Sequence, residues 1–128
     1  MAMEKIILYN FCEIDWHDAI IEKIMIDRNN PGINDSIVIF IICADNTKRN
    51  LRFNNVYWAD LNMNFGVVAS ESIVKAISKG RDCIYVKELY AKWKGMINDV
   101  DLNYYEIETN STGSIIKIIA KEVLIITI

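Results

Sequence analysis

The chain has 128 residues, of which 52% are hydrophobic, and this composition excludes a disordered chain. Its net charge of −3 argues against nucleic-acid binding, which needs a basic surface. No apolar run reaches the roughly 20 residues of a membrane-spanning helix, and the amino terminus lacks a signal-peptide pattern. We therefore expect one cytoplasmic domain over residues 1–128, with no membrane partner.

The first part of the chain has the pattern of paired strands. Residues 5–9 favour a short strand, and residues 18–27 fit an amphipathic helix and a strand equally well. A strong turn at 28–32 and a clear strand at 36–44 follow. Because a strand–turn–strand pair is the simpler interpretation, we predict a strand over 18–27.

Residues 51–64 continue the strand pattern after a turn at 45–47. Apolar and polar side chains alternate over 51–56 and again over 57–64, as expected for strands with one buried face. Asn54 and Asn55 lie between the two runs and indicate a bend or a bulge.

Two helices are predicted next, because each segment has a start signal, an apolar stripe at helical spacing and a glycine stop. In the first helix Ser70 is the start signal, Ile73, Val74 and Ile77 form the stripe, and Gly80 is the stop. In the second helix Asp82 is the start signal, Gly95 is the stop, and the stripe consists of Val86, Leu89, Tyr90 and Trp93.

The last part of the chain predicts a hairpin. Two β-favouring arms, 104–109 and 114–120, flank a turn at 110–113, and a third arm, 123–128, follows with almost no break. The middle arm is apolar on both faces, as expected for a central strand. A core is predicted from the apolar sides of these patterns, and its members are Ile39, Ile41, Trp93, Ile116 and Ile118.

The order of strands, helices and strands, without βαβ alternation, favours an α+β fold. We predict a mainly antiparallel sheet of about six or seven strands, with two helices inserted after the first strands and covering one face of the sheet.

Asp15, His17 and Asp18 form the most site-like polar group, and His17 is the only histidine. A functional interpretation makes His17 a general base or a metal ligand. In the structural interpretation, which we favour, His17 and Asp18 bond the entry to the next strand. One histidine and two neighbouring carboxylates do not supply the three or four ligands of a zinc site, so we expect no metal and no cofactor.

The turn at 110–114 is rich in hydroxyl groups. Its backbone N–H groups are candidates for binding a phosphate, but the lysine and the following helix of a P-loop are missing. The flanking strands require a tight turn here, and this structural interpretation is the one we favour.

An acidic stretch with tyrosines is the candidate partner-binding surface. Its members are Asp99, Asp101, Tyr104, Glu106 and Glu108. Alternation places Tyr104 and Glu106 on the outward face, while Tyr105 and Ile107 face inward. Acidic groups raise association rates with basic proteins, and an aromatic anchor supplies affinity. An ordinary solvated face is the alternative, and the acidic segment 13–22 is the next candidate.

Several motifs carry a resemblance to known proteins. They are Trp16-His17-Asp18-Ala19, residues 36–44, Leu51-Arg52-Phe53-Asn54-Asn55-Val56-Tyr57, residues 64–69 and residues 110–114. The chain, over roughly residues 14–64, resembles small bacterial proteins of uncharacterised families, some of them grouped with the immunity proteins of polymorphic toxin systems. The resemblance implies a small cytoplasmic α+β domain that works by binding.

Three functions remain open at this point. The favoured one is a non-catalytic protein-binding module, in particular an immunity protein that blocks the active site of a basic toxin. The second is a small-ligand-binding domain or hydrolase-like enzyme with a site around Asp15, His17 and Asp18. The third is a domain that mainly self-associates as a homo-oligomer.

Overall fold

Strands make up most of the fold. The computed structural model describes residues 2–6, 11 and 14–127, and this part of the chain contains seven strands and a helix. The strands are β1 (Ala2–Ile6), β2 (Ile20–Asp27), β3 (Ser36–Ile42), β4 (Lys48–Asn62), β5 (Ile73–Lys79), β6 (Asn103–Thr109) and β7 (Ile115–Thr127), and the helix α1 is Ile84–Lys92.

Strand β7 lies at the centre of the sheet. On one side it pairs with β4 along its whole length. On the other side its first half pairs with β6 and its second half with β1. The order is β2-β3-β4-β7-β6-β5, with β1 beside β7, and all pairs are antiparallel. A strand flanked on both sides and covered on both faces is largely apolar, as β7 is.

The sheet curls until its two outer strands, β2 and β5, meet. Ile20 and Ser72 form a bridge between them. The N–H of Ile21 donates to the carbonyl oxygen of Glu71 at 2.9 Å, and the N–H of Ile73 donates to that of Ala19 at 2.7 Å. The curvature encloses one face of the sheet.

Side chains from nearly every strand fill the enclosed space, and we call them the inner cluster. Its buried members are Phe11, Trp16, Ala19, Ile21, Ile37, Ile39, Ile41, Leu51, Phe53, Ile73, Ala76, Tyr105, Ile107, Ile116, Ile118, Ala120, Val123 and Ile125. Most of them are aliphatic β-branched residues, which pack well on a pleated surface.

Helix α1 covers a second, smaller cluster on the other face, which we call the outer cluster. Its buried members are Cys83, Val86, Leu89, Ile97, Leu102, Tyr104 and Ile119. Five partly buried residues, four of them aromatic, surround it: Tyr57, Trp58, Tyr85, Tyr90 and Val100.

The predicted α+β fold with two helices is wrong, because residues 73–79 form strand β5 and only α1 lies between β4 and β6. The pairing of β5 with β6 shifts register between Ile73 and Lys75. This bulge separates the buried residues Ile73 and Ala76 by three positions, which imitates helical spacing. Val74, placed on the predicted helical stripe, is 55% exposed.

The second predicted helix is present as α1, but one prediction about it is wrong. Trp93 was expected in the core, yet it is 38% exposed. It is the C-cap residue, one position beyond the last turn, so it lies past the part of the helix that packs on the sheet. The other predicted core residues, Ile39, Ile41, Ile116 and Ile118, are confirmed as buried.

The remaining strand predictions are largely confirmed. Strands β2 and β3 match the predicted pair, and residues 48–62 form the single long strand β4. The predicted third arm is the second half of β7. The predicted strand 5–9 overlaps β1, while residues 7–9 lie outside the described part. No helix in the described residues is long and apolar enough to cross a membrane.

Candidate functional site

A cleft of about 620 Å³ opens between the turn that joins β2 to β3 and the middle of β4. The turn contributes Arg28, Pro31, Gly32, Ile33 and Asp35, strand β4 contributes Asn55, Val56, Tyr57, Trp58, Ala59 and Leu61, and Ile26, Ser36, Ile37 and Trp93 complete the lining. The cleft is thus formed by segments that are distant in sequence.

Asp35 fixes the turn side of the cleft. One carboxylate oxygen accepts a hydrogen bond from the Nε of Arg28 at 3.2 Å, and the other accepts one from the N–H of Gly32 at 2.8 Å. The carbonyl oxygen of Asp35 accepts the N–H of Val56 at 3.0 Å, which ties the turn to β4. Gly32 has φ +80°, a conformation that glycine adopts without steric cost.

A bulge in β4 provides the aromatic side of the cleft. Asn55 has φ +53°, and the register with β7 shifts between Val56 and Trp58, so Tyr57 is the extra residue. A bulge re-aims neighbouring side chains, and here both Tyr57 and Trp58 reach the cleft. The ring of Tyr57 meets that of Trp93 edge to face, with centroids 5.7 Å apart.

The turn side of the cleft has almost no net charge. Arg28 and Asp35 form an ion pair there, and the Asp35 side chain is only 20% exposed, against 71% for Arg28. The amide of Asn55 and the hydroxyl of Ser36 add uncharged polar groups. Such a surface suits an apolar or aromatic group with a few hydrogen-bonding atoms better than a strongly charged one.

Large apolar side chains are exposed in and beside the cleft. Ile26 is 54%, Ile33 is 80% and Trp93 is 38% exposed, and Met96, which follows Trp93 closely in sequence, is 78% exposed. Single exposed apolar residues are ordinary, but several of them at one cleft indicate a surface that another molecule covers.

The predicted polar group around His17 lies at the surface and does not line the cleft. The Nδ1 of His17 and a carboxylate oxygen of Asp18 are 3.0 Å apart, and these side chains are 81% and 69% exposed. Asp18 has φ +64°, as expected for a residue in a turn, and Asp15 is exposed as well. The described residues contain no group of three or more His, Cys, Asp or Glu that could hold a metal ion.

The predicted acidic stretch is divided by the fold. Tyr104 and Glu106 lie on one face of β6 and Tyr105 and Ile107 on the other, as alternation predicts. Tyr104, however, is only 1% exposed because α1 covers it. The expectation of an exposed anchor at Tyr104 is therefore wrong.

The acidic side chains of this stretch have nearby basic neighbours. Glu106 lies opposite Lys117 of β7, and Glu108 lies opposite Lys75 of β5. Asp101 pairs with Arg81 at 3.3 Å while its side chain remains 94% exposed, and Asp99 is exposed. The acidic charge seen in the sequence is thus partly balanced by residues from other strands and loops.

An aromatic stack connects the cleft with the outer cluster. Tyr85 stacks on Tyr104 with ring centroids 4.9 Å apart and on Trp58 at 6.0 Å. The Nζ of Lys117 donates to the hydroxyl of Tyr85 at 2.9 Å, and this hydrogen bond raises the pKa of Lys117. Trp58 belongs to both the stack and the cleft, so the helix and the cleft wall are mechanically connected.

Internal hydrogen bonds engage the hydroxyl groups of the hairpin turn. Thr112 donates to the carboxylate of Glu71 at 2.9 Å, and Ser111 donates to the carbonyl oxygen of Ser70 at 2.7 Å. The hydroxyl of Ser114 accepts the N–H of Asn64 at 3.0 Å. These bonds join the turn to the loop between β4 and β5, in agreement with the structural interpretation.

The sequence contains separate signals for parts of the cleft, but no local pattern that brings them together. The turn at 28–32 and the irregularity at Asn54 and Asn55 are visible in the sequence, and residues 57–64 have a strand pattern. Their juxtaposition depends on the pairing of β3 with β4, which places Ser36 opposite Asn54. No local pattern specifies that register.

Comparison with known proteins adds no relative: no family model, no curated protein and no solved structure matches this chain.

Proposed function

We propose that the protein is a protein-binding module that acts without catalysis and receives an apolar part of its partner in the cleft. The observation that carries this proposal is the exposure of Ile26, Ile33 and Trp93 at one cleft of about 620 Å³. Interfaces concentrate aromatic and large apolar side chains at their centre and surround them with polar groups. Arg28, Asp35 and Asn55 supply such polar groups here.

In its specific form, the proposal is an immunity protein that covers the active site of a bacterial toxin in the cytoplasm. The support for this form is the sequence resemblance described above. The exposed carboxylates of Asp99 and Asp101 favour a basic partner, because opposite charges accelerate association. Binding of such a partner is expected to weaken as salt is added.

Affinity capture from the native host with three forms of the protein tests this function. Ile33→Asp places a charge in the cleft at a side chain that is 80% exposed, so folding tolerates it. Val68→Asp makes the same chemical change on a loop outside the cleft, where the side chain is fully exposed. We expect a protein that the wild type and Val68→Asp retain and Ile33→Asp loses, with at least a tenfold rise in Kd. Equal retention by all three forms would show that the partner binds elsewhere.

A small apolar ligand is the second candidate, and the cleft volume favours it, because small-molecule sites span about 300–1,000 Å³. Met96→Asp distinguishes the two, since Met96 does not line the cleft. A protein with a footprint larger than the cleft is expected to lose affinity for this variant, whereas a ligand enclosed by the cleft is not.

A further inference from the structure

Strand β2 has a free edge. It pairs with β3 from Ile20 to Asp27, but on its other side it touches β5 only at its start, through the Ile20–Ser72 bridge. From Glu22 to Asp27 this second edge has no strand beside it in the part of the chain that the structure describes. An unpaired edge presents N–H and C=O groups that can hydrogen-bond another strand.

This edge also exposes apolar side chains. Met25 is 51% and Ile26 is 54% exposed. Edge strands that must stay unpaired are usually interrupted by proline, bulges or inward charges. The register shift of β2 lies between Ile21 and Lys23, and from Lys23 to Asp27 the pairing with β3 is regular. The second half of the strand is therefore straight enough to accept a partner.

Hydrogen-bond geometry limits how two copies of this edge can pair. The N–H and C=O groups of every second residue point out from the free edge of β2. When two copies pair antiparallel about a two-fold axis, the axis must therefore pass between one residue and the same residue of the second copy. Within the regular part, the central choices are Ile24, Met25 and Ile26.

The charges select one of these three centres. With Met25 at the centre, Lys23 lies opposite Asp27 of the second copy, and by symmetry this pair occurs twice. Ile24 then falls opposite Ile26, and Glu22 and Arg28, just beyond the two ends of the regular part, bring opposite charges towards each other. A centre at Ile24 or Ile26 instead sets charged residues against apolar ones. The segment 22–28 is thus complementary to itself in a single register.

We propose that the protein forms a symmetric homodimer in which two β2 strands pair antiparallel about Met25, making one continuous sheet across two copies. The guanidinium of Arg28 is available for this contact because its Nε bonds Asp35 while its side chain is 71% exposed. The ammonium of Lys23 lies 4.5 Å from the centre of the Phe40 ring on the neighbouring strand. Phe40 is on the paired side of β2, so the lysine side chain has to turn to the free edge to meet Asp27 of the second copy.

Sedimentation velocity over a range of protein concentrations, at low salt, tests the dimer. Lys23→Glu sets Glu against Asp27 twice, and Asp27→Lys sets Lys against Lys23 twice, so each variant should raise the dimer dissociation constant by roughly tenfold or more. The double variant restores opposite charges and should restore dimerisation. Lys87→Glu, on the exposed side of α1, makes the same charge change and should leave the dimer unchanged.

A covalent test reports the register directly. Opposite residues in an antiparallel pair have Cα atoms about 4.5–5.5 Å apart, within the range that a disulfide spans. Met25→Cys should therefore form a disulfide-linked dimer on mild oxidation. Val74→Cys, equally exposed on the edge of β5, should not.

The two measurements decide the proposal together. A protein that stays monomeric at all concentrations would overturn it. So would a dimer that neither charge reversal weakens, or a double variant that stays monomeric while its circular dichroism remains that of the wild type. If the monomer instead binds an added extended peptide along β2, the edge serves a different partner and the homodimer is refuted.

Discussion

The two faces of the central strands differ in how they are buried. The inner cluster is enclosed by the sheet itself, whose outer strands meet at the Ile20–Ser72 bridge. The outer cluster depends on one short helix, and its border is made of partly buried aromatic side chains. Closure by backbone pairing leaves the inner face little freedom to relax, whereas a nine-residue helix can shift on its support.

Because of this difference, the outer cluster is the one that we expect to affect the proposed binding surface. Tyr57 and Trp58 border the outer cluster and also line the cleft, so a change in the outer cluster can reach the proposed binding surface. The inner cluster is separated from solvent and serves stability. The neighbouring residues Ile118 and Ile119 lie in the inner and the outer cluster, so the same substitution at both positions tests this comparison.

The largest effect is expected from Ile118→Ala. Ile118 belongs to the inner cluster and Ile119 to the outer one, and each is 1% exposed. Removing methylene groups from an enclosed site leaves a cavity, so Ile118→Ala should lower the free energy of unfolding by about 2–5 kcal/mol. Ile119→Ala should fall near the lower end of that range, because α1 can settle onto the smaller side chain. Denaturant titration of both variants measures the difference, and a larger loss for Ile119→Ala would reverse our comparison.

Much of the sheet was predictable because its strands carry local signals. Alternation identified the opposite orientations of Tyr104 and Tyr105, and continuous apolar character identified the central part of β7. Alternation does not show whether another part of the chain covers the outward face of a strand. Tyr104 points away from the inner cluster, as predicted, but a helix from elsewhere in the chain buries it.

Irregular backbone explains the error in the helix count. The bulge in β5 spaces Ile73 and Ala76 like helical residues, and so a strand was interpreted as a helix. In β4 a bend or a bulge was predicted at Asn54 and Asn55, and the bulge lies slightly further on, at Tyr57. Its effect on the direction of Trp58 depends on the register with β7. The cleft could not be predicted for a different reason, because its residues meet only through long-range pairing.

The second largest effect is expected at high pH and comes from Tyr105 of the inner cluster. Burial raises the pKa of Tyr105 from the ordinary value of 10 to about 12, while a hydrogen bond with Asn103 acts in the opposite direction. The folded state therefore holds the phenol proton more tightly than the unfolded state does. This contribution to stability is complete below pH 10 and is lost as the pH rises through 12.

The variant Tyr105→Phe removes this titration. Between pH 9 and pH 12 the wild type should lose about 2 kcal/mol more unfolding free energy than Tyr105→Phe does. Urea titrations at several pH values measure this difference. Parallel losses in the two proteins would show that Tyr105 does not govern alkaline unfolding.

The smallest effect is expected on the outer face, at Tyr104. Its hydroxyl donates to a carboxylate oxygen of Glu106, and burial, together with this hydrogen bond and the negative charge of Glu106, raises its pKa. Glu106 itself is partly exposed, so water can replace the lost partner. Tyr104→Phe should therefore lower the unfolding free energy by only about 0.5–1.5 kcal/mol at neutral pH. Glu106→Gln keeps an acceptor in place and is the matched control, and it should bring the pKa of Tyr104 down by removing the charge. Ultraviolet titration of the phenols in the wild type and in Glu106→Gln follows that pKa, and Tyr104→Phe identifies which transition belongs to Tyr104. An unchanged phenol titration in Glu106→Gln would mean that burial under α1 alone sets the pKa.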